Sequence, residues 1–211
     1  LPIAVYTLGI AHDLGLGVPE DDRIANSLYR QASDSGVLNA TYTLGWRYLT
    51  GQEIDRDKTE GLRLITLAAE GGVPGAQSSL GGLYLEGKEI PQDLPAAFRW
   101  TSLAADQGYL YAMSTLAYLY ETGKGTAENP AMAASIYYEI LRRGAAAEIV
   151  DAQTTSDRIA REMITYFARI RSRPTLMELQ RLLAQGGLYD GPLDGAFGPG
   201  TRRAMEALCQ C

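Results

Sequence analysis

The stretch Ala40–Gly72, ATYTLGWRYLTGQEIDRDKTEGLRLITLAAEGG, decides the fold. Ala40, Leu44 and Tyr48 recur every four residues and Gly51 closes the series, which predicts an amphipathic helix ended by a glycine. Asp57 then opens a second helix, as an N-cap or a first-turn acid. The apolar stripe of that helix, Gly61, Leu64 and Ala68, runs on to Gly72. Two such helices make a hairpin that cannot bury both of its faces by itself.

The stretch returns along the chain with a period of 36 residues and no gaps. Ala4, Ala40, Ala76 and Ala112 are in register, as are Leu8, Leu44, Leu80 and Leu116. Gly9, Gly45, Gly81 and Ala117 form the next column, and His12, Tyr48, Tyr84 and Tyr120 the one after. Gly15, Gly51, Gly87 and Gly123 end the first helices; Asp21, Asp57, Asp93 and Asn129 begin the second ones; Gly36, Gly72, Gly108 and Gly144 close the copies. Small residues in these columns let neighbouring helices approach closely. Leu and Tyr supply the buried area, roughly 1.5–3 kcal/mol for each fully buried large aliphatic side chain. The expectation is an all-α chain: by analogy with other helical-hairpin repeats, a right-handed α-solenoid.

The pattern A-x-Y-x-L-G-x-x-Y-x-x-G-x-x-V/I-x-x-D, followed by a small-residue helix and a glycine, resembles the Sel1-like repeat family. It is clearest in Ala40–Gly72 and Ala76–Gly108 and covers about residues 1–147, as copies at about 1–36, 37–72, 73–108 and 109–147. The resemblance implies a TPR-like, non-enzymatic adaptor whose first helices line the concave face. On those helices, positions 6, 10 and 13 of each copy fall together, away from the core stripe. Tyr6, Tyr42, Trp46 and Tyr118 stand there and are the candidate protein-binding residues. Packing against the neighbouring copy is the equal alternative for these aromatics. His12, where the family carries Tyr, is expected to be a plain core substitution. Ala117, Asn129 and Ile140 depart from the pattern, as a terminal copy with fewer neighbours should.

Beyond the repeats, residues 148–173 read as a capping helix and linker, with Ile159, Met163, Tyr166, Phe167 and Ile170 on one stripe before Pro174. Residues 174–211 differ again. The string L-Q-R-L-L, then G-x-Y-D-G-P-x-D-G-x-F-G-P-x-T-R-x-A, resembles the peptidoglycan-binding domain of bacterial wall enzymes and anchors, cut to about two-thirds of its length. A groove for glycan or stem peptide would then use Asp194 and Phe197, with Tyr189 and Arg202 beside them. Alternatively the loop is structural: Asp194 bonds the backbone, Gly195 takes a positive φ and Phe197 plugs a small core.

Composition narrows the classes. The net charge of −6 argues against a nucleic-acid partner. A single His and two Cys argue against a zinc site and against catalysis on either residue type, and no cofactor is expected. Cys209 and Cys211 are too close in sequence for an unstrained mutual disulfide on a helix and would pair between chains or with another segment. The start at Leu1, with no basic leader, predicts a piece of a longer, membrane-anchored parent. Repeats followed by a wall module resemble the periplasmic part of the polar organelle development family, membrane-crossing scaffolds of cell polarity. The expected function is therefore a periplasmic, non-enzymatic scaffold that binds a periplasmic or membrane protein through its solenoid and peptidoglycan through its C-terminal module. The alternative is the targeting region of a wall hydrolase or synthase.

Overall fold

The computed structural model describes residues 1–145 and 172–209. These residues form ten helices and no strands: α1 Pro2–Leu14, α2 Asp22–Asp34, α3 Leu38–Thr50, α4 Lys58–Glu70, α5 Pro74–Glu86, α6 Leu94–Asp106, α7 Leu110–Thr122, α8 Pro130–Ala145, α9 Arg173–Gln185 and α10 Pro199–Cys209. They group into two compact units, Leu1–Ile90 and Pro91–Cys211, which divide the chain in the turn before α6.

The periodic residues set the helix ends as the sequence predicts. Gly15, Gly51, Gly87 and Gly123 end α1, α3, α5 and α7 in the left-handed region, where a side chain would be strained. Asp21, Asp57 and Asp93 cap α2, α4 and α6 by accepting backbone N–H groups, and Asn129 accepts from Met132 N at 3.0 Å.

In the first unit α1 packs on α2, α2 on α3, α3 on α4 and α4 on α5. The closest crossing is inside the second repeat. A Cβ on Gly61 would stand 2.7 Å from Leu49 N and 2.8 Å from Gly45 O, both backbone atoms. Ala25, Ala40, Ile65, Ala68 and Ala76 of this unit are completely buried. His12 does not sit in this core. It is half-exposed, with Nδ1 3.1 Å from Pro19 O, and Tyr48, Tyr84 and Tyr120 of the same column are likewise only half-buried.

In the second unit α9 and α10 both pack on α8. Leu176, Leu179, Leu183, Ala204 and Met205 share one core with Ala134, Tyr137, Ile140 and Leu141. Residues 174–209 thus have no separate hydrophobic core; they finish the core of the last repeat, which suits a piece too small to bury its own. The departure at Ile140 has the opposite cause to the expected one. Ile140 and Leu141 are large because α9 and α10 cover them, and both are buried. The capping helix expected over 156–171 and the side chains of Cys209 and Cys211 lie outside the described residues.

On the outer surface of α8, Arg142 and Arg143 both donate to the Glu139 carboxylate. The hydrogen bonds from Arg142 lead in holding that carboxyl at about 2, against the ordinary 4.5. A depressed carboxylate stabilises the folded state above its unfolded pKa, and the contribution is lost as pH falls from about 4.5 to about 2. The pairs are partly exposed, so solvent and salt reduce the effect. Glu139→Gln is expected to flatten the thermal-stability profile of the protein across that window. An unchanged slope contradicts the assignment.

Candidate protein-binding surface

In the first two repeats, position 6 of the first helix reaches into the next repeat. The Tyr6 hydroxyl pairs with Thr43 Oγ1 at 3.4 Å, and the Tyr42 hydroxyl pairs with Ser79 Oγ at 2.8 Å. Trp46, at position 10, donates its indole N–H to the same Ser79 Oγ at 3.3 Å. Thr43 and Ser79, 36 residues apart, thus serve the aromatic residues of the repeat before them, a relation the sequence carries but that only the register of stacked repeats makes visible. In the second unit Tyr118 accepts from Lys124 Nζ at 2.6 Å, with the ammonium 4.9 Å from the ring centre. All four expected contact residues are half-buried. Their rings are packed on one side and accessible on the other.

Position 13 does not join them. Leu49 and Glu121 are buried, because a helix clasped by two others buries more than a single stripe, and position 29 of the same hairpin lies over position 13. The Tyr29 hydroxyl donates to Asp13 Oδ2 at 2.9 Å, and that of Tyr137 to Glu121 Oε2 at 3.4 Å. Burial first, then the Asp13 carboxylate, pushes the Tyr29 hydroxyl pKa above its ordinary value. Arg47 crosses from the second repeat to join this group. Its side chain is 4% exposed; it binds Asp13 and Asp22 Oδ1, the latter at 2.8 Å, and stacks 5.3 Å from the Tyr29 ring centre. Burial works against its charge, but the two carboxylates outweigh this and raise its pKa.

Beside Trp46 the surface is notched. A groove of about 350 Å³ is lined by Trp46, Ser79, Gly82, Leu83, Glu86, Lys88 and Glu89. Gly82 occupies the position that holds Ile10, Trp46 and Tyr118 in the other repeats, so the missing side chain makes the notch.

At the C-terminal end, Gln180 organises the turn-rich loop. Its side chain is fully buried and Nε2 donates toward Tyr189 Oη, Asp194 Oδ1, Ala196 O and Thr201 Oγ1 at 3.0–3.3 Å. Its Oε1 accepts Gly195 N at 2.9 Å. Sequence reading passed over this Gln, although a polar residue between the buried leucines 179 and 183 was a signal. Tyr189 belongs to the core: it is 9% exposed and its hydroxyl donates to Pro192 O at 2.8 Å, so it offers no ring face to a glycan. Asp194 accepts Ala196 N at 2.9 Å, and that backbone bond, then Gln180, lowers its carboxyl pKa. Gly195 has φ 67° and Phe197 packs against the core. Arg202 is exposed, its guanidinium 5.3 Å from the Phe197 ring centre and 4.0 Å from Glu206 Oε1. The structure brings Asp194 and Phe197 into one rigid turn, with Arg202 stacked on that Phe197 ring.

Among the described residues no group of three or more His, Cys, Asp or Glu is placed to hold a metal ion, and no helix is long and apolar enough to cross a membrane.

The Sel1 repeat profile matches residues 2–37, 38–73, 74–109 and 110–140. Comparison with curated proteins gives no match. Among solved structures, c5321, a protective antigen of uropathogenic Escherichia coli strains displaying an SLR fold, is 27% identical with a TM-score of 0.61. The match covers 99% of this chain but 45% of the antigen, so the chain spans less than half of that relative's length. A Sel1 repeat protein from Oxalobacter formigenes matches with 24% identity and a TM-score of 0.62, over 99% of this chain and 87% of that one. PA5086 of Pseudomonas aeruginosa shares the fold at 17% identity and a TM-score of 0.51, over 99% and 81% of the two chains.

Proposed function

This chain belongs to the Sel1 repeat family, and from that premise we propose that it is a non-enzymatic adaptor that binds a protein partner through the first-helix face of its repeats. Sel1 repeat proteins are typically protein-interaction scaffolds. The observation that carries the reading is the set of half-buried rings at positions 6 and 10. Tyr6, Tyr42 and Trp46 are fixed by hydroxyls of the next repeat, and Tyr118 by Lys124. Rings held in place before binding lose little freedom on association, and Tyr and Trp dominate interface energetics.

The finer reading adds a periplasmic location in a polarity scaffold and a wall contact through the 189–202 loop. Its support is the D-G-x-F-G-P-x-T-R-x-A string and the exposed Arg202 held over Phe197. Because α9 and α10 complete the core of α8, deleting them exposes apolar surface and makes a poor test. Co-sedimentation with purified sacculi, comparing the intact chain with Arg202→Glu, is cleaner. Retention lowered severalfold by the substitution supports the wall contact. Equal retention, or none by either form, removes it and leaves the adaptor reading in place.

A further inference from the structure

We infer that the notch between Trp46 and Gly82 receives an arginine side chain of the partner; the inference rests on the adaptor reading and names the chemistry that the face recognises. Gly82 lies inside α5, where glycine costs roughly 1 kcal/mol relative to alanine. Three other helical glycines of the unit have a packing reason. A Cβ on Gly9, Gly45 or Gly61 would come within 2.7–2.9 Å of the facing helix. Around Gly82 nothing lies within 4 Å of that point, and its φ is not in the left-handed region. Neither internal packing nor backbone conformation accounts for the glycine. What its absence of side chain does is open the groove beside the indole.

The walls of that groove select the occupant. Trp46 offers a ring whose orientation is set by its hydrogen bond to Ser79. Glu86, Glu89 and Lys88 stand on the rim. An aromatic face next to carboxylates suits a planar cation, which stacks on the ring and forks to a carboxylate. Glu86 is held only by Lys88, at 3.0 Å, and both side chains are well exposed, so that pair is weak and readily exchanged for an entering guanidinium. Glu89, bound by Arg56 and Lys58, stays as a fixed rim charge. The wider field agrees: residues 1–90 carry twelve Asp and Glu against seven Lys and Arg, five of the six net negative charges of the chain.

The Trp46 indole N–H resonance of the full-length protein reports the site directly, with Trp100 as an internal control. N-acetyl-arginine amide is expected to shift the Trp46 signal saturably, with a dissociation constant on the order of 1 mM, and to leave Trp100 in place. The citrulline analogue, equal in shape but uncharged, should bind at least tenfold more weakly. Gly82→Leu fills the notch without touching the core and should abolish the shift at thermal stability no lower than that of the wild type; Glu86→Gln should weaken it severalfold. No shift with arginine, an equal shift with citrulline or N-acetyl-leucine amide, or survival of the shift in Gly82→Leu overturns the inference. Partner capture that still depends on Tyr42 and Trp46 would at the same time keep the adaptor reading, so the two can fail separately.

Discussion

Replacing Arg47 with leucine is expected to lower the unfolding free energy by about 3–5 kcal/mol, nearer the lower figure because the carboxylates it leaves behind keep some access to water. The loss is the cost of stranding charge. Asp13 and Asp22 lose their counter-ion and Tyr29 loses the guanidinium stacked on it. The repeat itself supplies the rescue. One copy further on, the positions of Asp13, Tyr29 and Arg47 hold Leu49, Ile65 and Leu83, all buried. A triple variant Asp13→Leu, Tyr29→Ile, Arg47→Leu copies that set and should recover most of the loss, since well-packed apolar groups often replace a buried ion group and the remaining Asp22, 28% exposed, keeps access to water. Urea unfolding of the three forms decides it. A single variant within about 0.5 kcal/mol of wild type would show the ion group to be incidental.

Gly61→Ala carries two opposed expectations, and the structure chooses between them. Helix propensity predicts a gain of roughly 1 kcal/mol, and the other three copies hold Ala25, Ala97 and Ala133 in that column. The structure predicts a loss of about 1–3 kcal/mol, because the new methyl would meet the backbone of α3 at 2.7–2.8 Å, and backbone cannot swing aside as a side chain can. The second copy differs in having glycine at both facing positions, Gly45 and Gly61, and its hairpin has closed accordingly. Gly82→Ala is the control: with nothing near its Cβ it should stabilise by about 0.4–1 kcal/mol. A stabilising Gly61→Ala would mean that the crossing is looser than described.

Helix limits and caps were legible because each is decided within a few residues. Gly51 must take a left-handed turn and Asp57 must accept the first N–H groups, whatever lies across from them. The Arg47 group was not legible, since it joins residues 34 and 25 positions apart. The clue was an arginine in the column of Ala11, Leu83 and Leu119. The expectation of Tyr189 as a contact residue rests on the resemblance of its loop to a wall-binding string. The buried Gln180, bonded to both ends of that loop, and Pro192 O hold the hydroxyl while the ring joins the core. The surface aromatics fall between these cases: their face follows from helical spacing, and their half-burial follows from the next repeat.

The central claim is that partners dock on the first-helix face rather than on the opposite one. Photo-crosslinking in the cell of origin tests it most directly, with a photoreactive phenylalanine placed at Ser78, on the first-helix face of α5 and outside the notch, in one form and at Leu67, exposed on the outer side of α4, in another. A discrete adduct from position 78 and none from position 67 is the predicted result. An adduct from position 67 with none from position 78 would contradict the account.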